Sequence, residues 1–427
     1  MSTPTFTLTS SPSFTTSNSP TNTPTNTATS SITPTITETI SSTPTVTPSD
    51  TVSNTPSLTE TPTLTNTASE SPTLTISYST TATSTLTPTP TSTASPSWQA
   101  VGIQGFTPSS AGYLSLSLFN GTLYLAFQDT AASAFASVMT YDGNNWGYFG
   151  SAGFSGAGVG NIVSSAGTYV IYTDTGHGGR ATVKNYNGSN WIDVGSPGFS
   201  NAAVSDPTLF VADKPYAAFS DSSNSGKILV EQFDGTSWVT VGDANFSSNS
   251  SYSPALYATA SPQALYVAYS DGGLGGELTV MENTGGNWFS IGSGISAGAA
   301  TNISLNVSGT VIDVAYSDGA HSQKASMMRN SGTGWANLGS AGFSAGFADY
   351  LSLSEYNGTP YVAFGDGAVG YKATVMKYDG SDWVYLGNEG FSAASAFSTS
   401  LCVVGGTPYV AYSDTFNSFK ATVMQFQ

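Results

Sequence analysis

Residues 372–387 read KATVMKYDGSDWVYLG. Apolar and polar side chains alternate over KATVMKY, a DGSD turn follows, and the next segment, WVYLG, begins with tryptophan. Alternation with a period of two, bounded by Gly and Asp, predicts two antiparallel strands joined in a hairpin. Versions of this stretch recur along the chain, and its first half returns as KATVMQF at residues 420–426. The stretch is therefore one copy of an internal repeat.

Two residue types mark the copies of this repeat. Seven tryptophans occur at intervals of 45–50 residues: Trp98, Trp146, Trp191, Trp238, Trp288, Trp335 and Trp383. Seven aspartates keep the same rhythm: Asp129, Asp174, Asp221, Asp271, Asp318, Asp366 and Asp414. We interpret both series as structural, with each tryptophan packed between neighbouring repeats, because large aromatic side chains contribute most to such packing. Sugar stacking on the tryptophans is the functional alternative.

One repeat contains four predicted strands. In the sixth copy these are residues 350–356, 360–366, 372–378 and 383–387, separated by segments rich in Gly, Asn and Asp. The glycine three positions before each tryptophan, such as Gly380, is expected to supply the positive φ that the hairpin needs. Four short antiparallel strands in about 45 residues form one propeller blade. The predicted fold class is all-β, a seven-bladed β-propeller of four-stranded antiparallel blades.

The two ends of the repeat region complement each other. Residues 98–102 form a fourth strand without the three strands that should precede it, and residues 391–427 supply three strands without a fourth. Together they complete one blade, so an N-terminal strand is expected to close the ring. Closure removes the exposed sheet edge that would otherwise favour aggregation. We assign residues 98–427 to the propeller.

Residues 1–97 have a different composition. They are dominated by Ser, Thr, Pro and Asn and contain no Lys, Arg, Gly or Trp. Frequent proline disfavours helix, and the low apolar content cannot offset the entropy of ordering. We predict a disordered, low-complexity stalk or linker, of the composition found in O-glycosylated stalks.

Charge and cysteine content exclude several classes of partner. The net charge is −17, which disfavours nucleic acid and anionic membrane surfaces. The sequence has no apolar run long enough for membrane insertion, and its single cysteine, Cys402, allows no intrachain disulfide. We predict no cofactor and no metal. A signal peptide is not visible, yet the stalk and propeller favour an extracellular or cell-surface location, as a monomer or as part of a larger surface protein.

The loops predict which face carries a binding site. If the first strand of each blade is innermost, the turn between strands one and two lies on the same face as the DGxxW hairpin, and both turns are nearly uniform. The loops after the repeated aspartates lie on the opposite face and differ between blades, as binding loops on a rigid scaffold do. The candidate binding residues in these loops are His177, Arg180, Asn224, Lys227, His321, Lys324, Tyr371, Lys372, Phe416 and Lys420.

A basic residue stands six positions after five of the seven aspartates, while Phe135 and Glu277 occupy this position in the first and fourth copies. The aspartate ends the second strand of a blade, and the basic residue begins the third strand, which pairs with it. We therefore predict a structural cross-strand pair between the two side chains. The functional alternative is a charged ring broken at blades one and four. His177 and His321 lie in nearly opposite blades, so we interpret them as lone surface histidines and assign no catalytic residue.

The repeat resembles the blades of secreted sugar-binding propeller lectins over residues 98–427. The segment YDGSDW (378–383) also partly resembles the sialidase Asp-box, S-x-D-x-G-x-x-W, although Asp379 directly precedes Gly380 and the box serine is absent. Sialidases use three arginines, whereas this chain has only Arg180 and Arg329. The Arg and Glu that fucose-binding lectins use in each blade are also absent from these repeats. The resemblance implies the architecture and sugar binding as a class of function.

These observations favour a non-enzymatic, extracellular or cell-surface binding module that recognises glycan or protein through its variable loop face. One alternative is a glycan-cleaving enzyme, a sialidase-like hydrolase or a lyase, with its site in the propeller funnel. The other is a purely structural surface protein. An enzyme would require a pair of carboxylates flanking the scissile bond.

Overall fold

The computed structural model describes residues 95–427, apart from 245 and 261–262, and short strands within residues 1–94. The chain divides into two compact units, Met1–Thr93 and Ala94–Gln427. In the first unit the strands are Phe6–Thr7, Ser10–Ser17, Thr25–Ile32, Thr35–Ile36, Thr63–Thr65 and Ser77–Ser79. The predicted disorder of residues 1–97 falls mainly outside the described residues and stays a prediction.

The second unit is a ring of seven four-stranded antiparallel sheets, here called blades 1 to 7. The first strands are Ala111–Phe119, Val159–Ser165, Val204–Val211, Ser251–Ala260, Ala300–Ser308, Ala348–Tyr356 and Ala396–Val404. The second strands are Thr122–Asp129, Tyr169–Asp174, Pro215–Asp221, Gln263–Asp271, Val311–Asp318, Thr359–Asp366 and Thr407–Asp414. This confirms the predicted seven-bladed β-propeller.

The outer hairpin of each blade is the segment recognised in the sequence. The third strands are Phe135–Tyr141, Arg180–Tyr186, Lys227–Phe233, Glu277–Thr284, Lys324–Asn330, Lys372–Tyr378 and Lys420–Phe426. The fourth strands are Trp146–Tyr148, Trp191–Asp193, Trp238–Thr240, Asn287–Gly292, Trp335–Asn337, Trp383–Tyr385 and, for blade 7, Trp98–Ala100. The predicted positive φ of the hairpin glycines is present, for example 101° at Gly143 and 105° at Gly380.

Strand Trp98–Ala100 completes blade 7, because Trp98 pairs with Phe426 and Ala100 pairs with Met424. The first strands of neighbouring blades contact one another around the axis, and the first strand of blade 7 contacts that of blade 1. The ring is therefore closed by the N-terminal strand, as the sequence predicts. The first strand of every blade is innermost, which places the variable loops together on one face.

The core lies between the blades. Each interface buries apolar side chains from the second and third strands of two neighbouring blades, such as Phe127 and Met139 of blade 1 against Val423 of blade 7. The segment after each fourth strand adds a ring to this interface. For example, Phe154 stacks on Trp191 with centroids 4.3 Å apart. The repeated tryptophans thus pack between blades, and the segment after the fourth strand of blade 4 has Ile295 where the other segments have Phe.

Candidate functional site

The repeated aspartates serve the fold. Each ends a second strand and is at most 4 % exposed. One carboxylate oxygen accepts the backbone N–H two residues later, so it caps a short 3-10 turn, as Asp414 does for Phe416 at 3.0 Å. In five blades the other oxygen accepts a hydroxyl from the third strand, such as Thr422 Oγ1 at 2.9 Å from Asp414. In these five blades both carboxylate oxygens are therefore hydrogen-bonded within the blade, whereas Asp366 Oδ2 is buried with no partner among the described residues.

The predicted cross-strand neighbours are opposite each other in register, as Asp318 and Lys324 are. Their side chains nevertheless do not form the ion pair that this register suggests. Among the described residues the ion pairs are His177–Asp174, Lys184–Asp193, His321–Asp318 and Arg329–Asp313. The physical reason is burial: the aspartate turns inward to the amide and hydroxyl donors, while the basic side chain stays at the rim.

The two histidines are not lone surface residues. His177 Nδ1 lies 2.9 Å from Asp174 Oδ2, and His321 Nδ1 lies 2.8 Å from Asp318 Oδ2. Asn224 occupies the same turn position and donates from Nδ2 to the carbonyl of Ala244 at 3.0 Å. These three candidates therefore also support their own loops.

The other sequence-predicted candidates are spread around the rim of the loop face. Tyr371 and Phe416 are exposed, and the basic residues Arg180, Lys227, Lys324, Lys372 and Lys420 are exposed or half-buried at the start of their third strands. The structure does not bring these residues together around one cavity. None of the ten candidates lines the cavity described next.

A cavity of about 460 Å³ lies on the propeller axis. It is built from the N-terminal halves of all seven first strands, at the ends where the variable loops are attached. In every blade the pairing between strands one and two shifts there by one residue, which is a β-bulge. The bulged residues are Tyr113, Asn161, Asp206, Ser253, Asn302, Tyr350 and Ser398.

The bulge explains how seven similar strands present one side chain each, of four kinds, to one cavity. Six of the bulged residues have φ between 48° and 53°, in the left-handed region that non-glycine residues rarely adopt. Such conformations persist where the surrounding structure enforces them, and they concentrate at functional sites. Here the strain falls on the cavity-lining residues, and blade 2 with Asn161 is the exception.

The cavity wall combines polar and apolar side chains and is nearly uncharged. Asp206 is its one carboxylate among the described lining residues, and no Lys, Arg or His is present. Asp206 accepts the Asn161 side-chain amide at 3.1 Å and the Ser253 backbone N–H at 3.3 Å. Part of its hydrogen-bonding capacity remains for a ligand. The arrangement offers oxygen acceptors and amide groups around one open space.

Two tyrosines give the cavity an aromatic side. Tyr113 of blade 1 and Tyr350 of blade 6 are both exposed, and blade 7 separates them with the smaller Ser398. Burial raises the pKa of the Tyr350 hydroxyl, with further contributions from the Asp349 carboxylate and the Tyr113 hydroxyl. Burial also raises the pKa of Asp349, which is bonded to the Tyr350 backbone N–H at 3.0 Å.

Sequence reasoning missed this ring of bulges because it followed the loops and not the inner strands. The available signal was a variable position two residues after a repeated alanine. Ala111, Ala300, Ala348 and Ala396 each stand two positions before a bulged residue.

Within residues 95–427, apart from the three that are not described, no cluster of three metal-ligating side chains occurs. No helix of the described part of the chain is long and apolar enough to cross a membrane.

Comparison with known proteins finds similarity at the level of structure. No protein-family model matches the chain, and no curated protein matches it. Similar solved structures include an Aleuria aurantia lectin in complex with Fucα1-6GlcNAc, 18% identical, with 66% of this chain and 96% of that chain covered and a TM-score of 0.43. AofleA from Arthrobotrys oligospora is 14% identical, with 69% and 90% covered and a TM-score of 0.45.

A Trypanosoma rangeli sialidase in complex with the inhibitor DANA is 11% identical, with 74% of this chain and 55% of that chain covered and a TM-score of 0.41.

Proposed function

We propose that the propeller is a non-enzymatic module that binds a neutral glycan in its axial cavity. The supporting observation is the ring of seven bulged residues, which places Asp, Asn, Ser and Tyr side chains around one space. Its volume of about 460 Å³ lies within the range usual for small-ligand sites. Sugars present hydroxyl groups and apolar C–H faces, and this lining matches both.

The chemistry of recognition follows from the lining. The Asp206 carboxylate accepts sugar hydroxyls through charge-assisted hydrogen bonds, which are the stronger kind. Asn161 and Asn302 supply carbonyl acceptors, while their amide groups donate within the wall, to Asp206 and to Ser317. The rings of Tyr113 and Tyr350 stack against the apolar face of a pyranose. An acidic sugar is disfavoured because its carboxylate meets Asp206 and finds no basic side chain among the described lining residues.

Glycan cleavage is the weaker alternative. Glycoside hydrolysis uses two carboxyl groups on either side of the scissile bond. The described lining contributes one, Asp206. Asp349 lies beside Tyr350 but is not part of the wall, and its side chain is engaged by the Tyr350 N–H and the Asn302 amide.

We also propose that the module acts at a cell surface or outside the cell. The support is its composition: residues 1–97 are of the stalk type, and in an extended form they would span up to roughly 300 Å. A stalk of this reach would hold a propeller at a distance from the surface on which it is anchored.

A glycan array with the full-length protein tests the proposal. We expect binding to neutral oligosaccharides and none to sialylated or uronic-acid sugars. Tyr350→Ala and Asp206→Asn should each weaken binding about tenfold, because each removes a stacking or charge-assisted contact. The matched control is Tyr356→Ala, since Tyr356 lies at the opposite end of the same strand and both side chains are 37 % exposed.

Equal losses in Tyr350→Ala and Tyr356→Ala would contradict an axial site. Binding to no glycan on the array would contradict the proposed function as a whole. Release of a cleaved sugar by the full-length protein would replace it with the enzymatic alternative.

A further inference from the structure

A second cavity adjoins the axial one, between blades 7 and 1. Its volume is about 350 Å³, and its wall includes Gly112, Gln128, Thr130, Phe397, Ser398 and Phe419. No acidic or basic side chain belongs to this wall among the described residues. Ser398 lines both cavities, so the two spaces adjoin on the loop face. We call the second cavity the 7–1 groove.

Aromatic rings connect the two spaces. The centroids of Tyr350 and Phe397 are 6.0 Å apart in an edge-on arrangement, and those of Phe397 and Phe419 are also 6.0 Å apart with planes inclined by 25°. Tyr350 lines the axial cavity, while Phe397 and Phe419 line the 7–1 groove. The row crosses from blade 6 to the far side of blade 7.

Phe419 occupies a position where an aromatic side chain is unfavourable. Its φ is 61°, and the equivalent positions of blades 2, 3 and 4 are glycines. The left-handed conformation itself serves closure, because it directs the Phe419 carbonyl to the Ala111 N–H of blade 1 at 2.9 Å. The ring makes no contribution to that bond and is 49 % exposed. Glycine would satisfy the backbone, so the aromatic ring calls for another explanation.

We propose, on the basis of the function proposed above, that the 7–1 groove is a second sugar subsite. The ligand is then a neutral oligosaccharide of at least two units. One unit occupies the axial cavity beside Tyr113 and Tyr350, and the next passes Ser398 and lies over Phe397 and Phe419.

The wall of the groove fits this occupant. The two phenylalanine rings give an apolar platform for the C–H face of a pyranose. Gln128 stands on the blade 1 side, where its Nε2 donates to the Val159 carbonyl, so its second N–H and its Oε1 remain for the sugar hydroxyls. The Thr130 hydroxyl is bonded to Ser109 and Ser110 and serves the fold. The uncharged wall disfavours an anionic unit, and the shared Ser398 sets the order of the two units along the face.

Isothermal titration of the full-length protein tests the proposal, with glucose, cellobiose, cellotriose and the corresponding mannose and galactose series as probes. We expect affinity for the preferred series to rise about tenfold from monosaccharide to trisaccharide. Phe419→Gly should abolish this rise and leave monosaccharide affinity unchanged, and Phe397→Ser should abolish the rise as well. The control is Gln323→Gly, which makes the same change at the equivalent position of blade 5, where φ is 58°.

Phe419→Gly should also raise the melting temperature, because glycine adopts a φ of 61° without strain. If the ring instead stabilised the fold, the same substitution would lower the melting temperature. Affinity independent of chain length, or a length dependence retained in both Phe variants, would overturn the subsite and leave the axial site standing. A Phe419→Gly protein with a lowered melting temperature would assign the ring to the fold and overturn the proposal. Absence of any sugar binding by the wild-type protein would instead overturn the proposed function.

Discussion

The indole Nε1 of Trp98 donates to the carbonyl oxygen of Leu386, 288 positions later in the chain, at 2.8 Å. The same bond links every pair of neighbouring blades. In each case the indole N–H of one repeated tryptophan donates to the backbone carbonyl three residues after the repeated tryptophan of the preceding blade. Trp98 also stacks on Phe391 with centroids 4.0 Å apart. On its other side the same strand segment offers the Val101 carbonyl to Trp146 at 2.8 Å. Residues 98–101 are therefore joined to both neighbours of blade 7.

Trp98→Ala should destabilise the propeller by about 3 kcal/mol, because it removes an interblade ring and leaves the Leu386 carbonyl without its donor. Chemical denaturation followed by tryptophan fluorescence measures the change. Gln99→Ala is the control, since Gln99 is exposed in the same strand. Deletion of residues 98–102 should cost more and open the ring. An unchanged melting transition after that deletion would refute closure by this strand.

Substitution of two glycines, Gly121 and Gly150, distinguishes the cost of backbone strain from the cost of disturbed packing between blades. Gly121 and Gly150 have φ of 77° and 78°, but a Cβ on Gly121 would meet nothing within 4 Å. On Gly150 it would lie 2.8 Å from the Tyr186 ring and 3.0 Å from Trp191 Nε1. Gly121→Ala should cost about 1 kcal/mol from strain alone. Gly150→Ala should cost about 2–4 kcal/mol, since Trp191 of the next blade must move.

Equilibrium unfolding of the two alanine variants gives the comparison directly. Equal losses of stability would mean that the glycine four positions after each tryptophan is kept for its φ and not for the neighbouring indole.

Glu231 interrupts a repeated core position. Five blades have methionine at the equivalent position: Met139, Met281, Met328, Met376 and Met424. Blade 2 has Lys184 there, and its Nζ lies 2.6 Å from Asp193 Oδ1. Glu231 is 8 % exposed, and its Oε2 has no hydrogen-bond partner among the described residues. Burial, with a smaller contribution from the Asp221 carboxylate, raises the pKa of Glu231 from the usual 4.5 to about 7.

The raised pKa of Glu231 makes its protonated form the one that the folded state prefers. Its contribution to stability is complete below about pH 4.5 and is lost as the pH rises through about 7. The loss amounts to at most about 3 kcal/mol. Glu231→Met should remove this pH dependence and leave the protein more stable at pH 8. Thermal unfolding of both proteins from pH 4.5 to 8 tests this, and parallel curves would disprove it.

Much of the fold was predictable because it is repeated. The spacing of Trp98 to Trp383 and the two incomplete ends determine seven blades and their closure without any knowledge of loop conformation. Predictions about the contacts of single side chains were less accurate than predictions about the repeat. The Asp–Lys neighbours are adjacent in register, yet the carboxylate turns to its own 3-10 turn, since a buried aspartate needs several donors.

The axial cavity was less predictable for a physical reason. A bulge is set by one extra residue in a pairing register, and the register is known only when both strands are placed. Tyr350 and Asp206 therefore have no shared local motif, although they occupy the same position in their blades. Their convergence comes from the rotation of seven blades about one axis, which no local sequence window contains.

The closing strand also determines when the propeller can finish folding during synthesis. Trp98 pairs with Phe426, which is added 328 residues later. At ordinary elongation rates the strand waits roughly 15–65 s for its partner. Throughout that interval its backbone donors and its indole are available to the corresponding edge of another nascent or refolding chain. Dilution during refolding should thus favour the closed monomer over strand-exchanged oligomers.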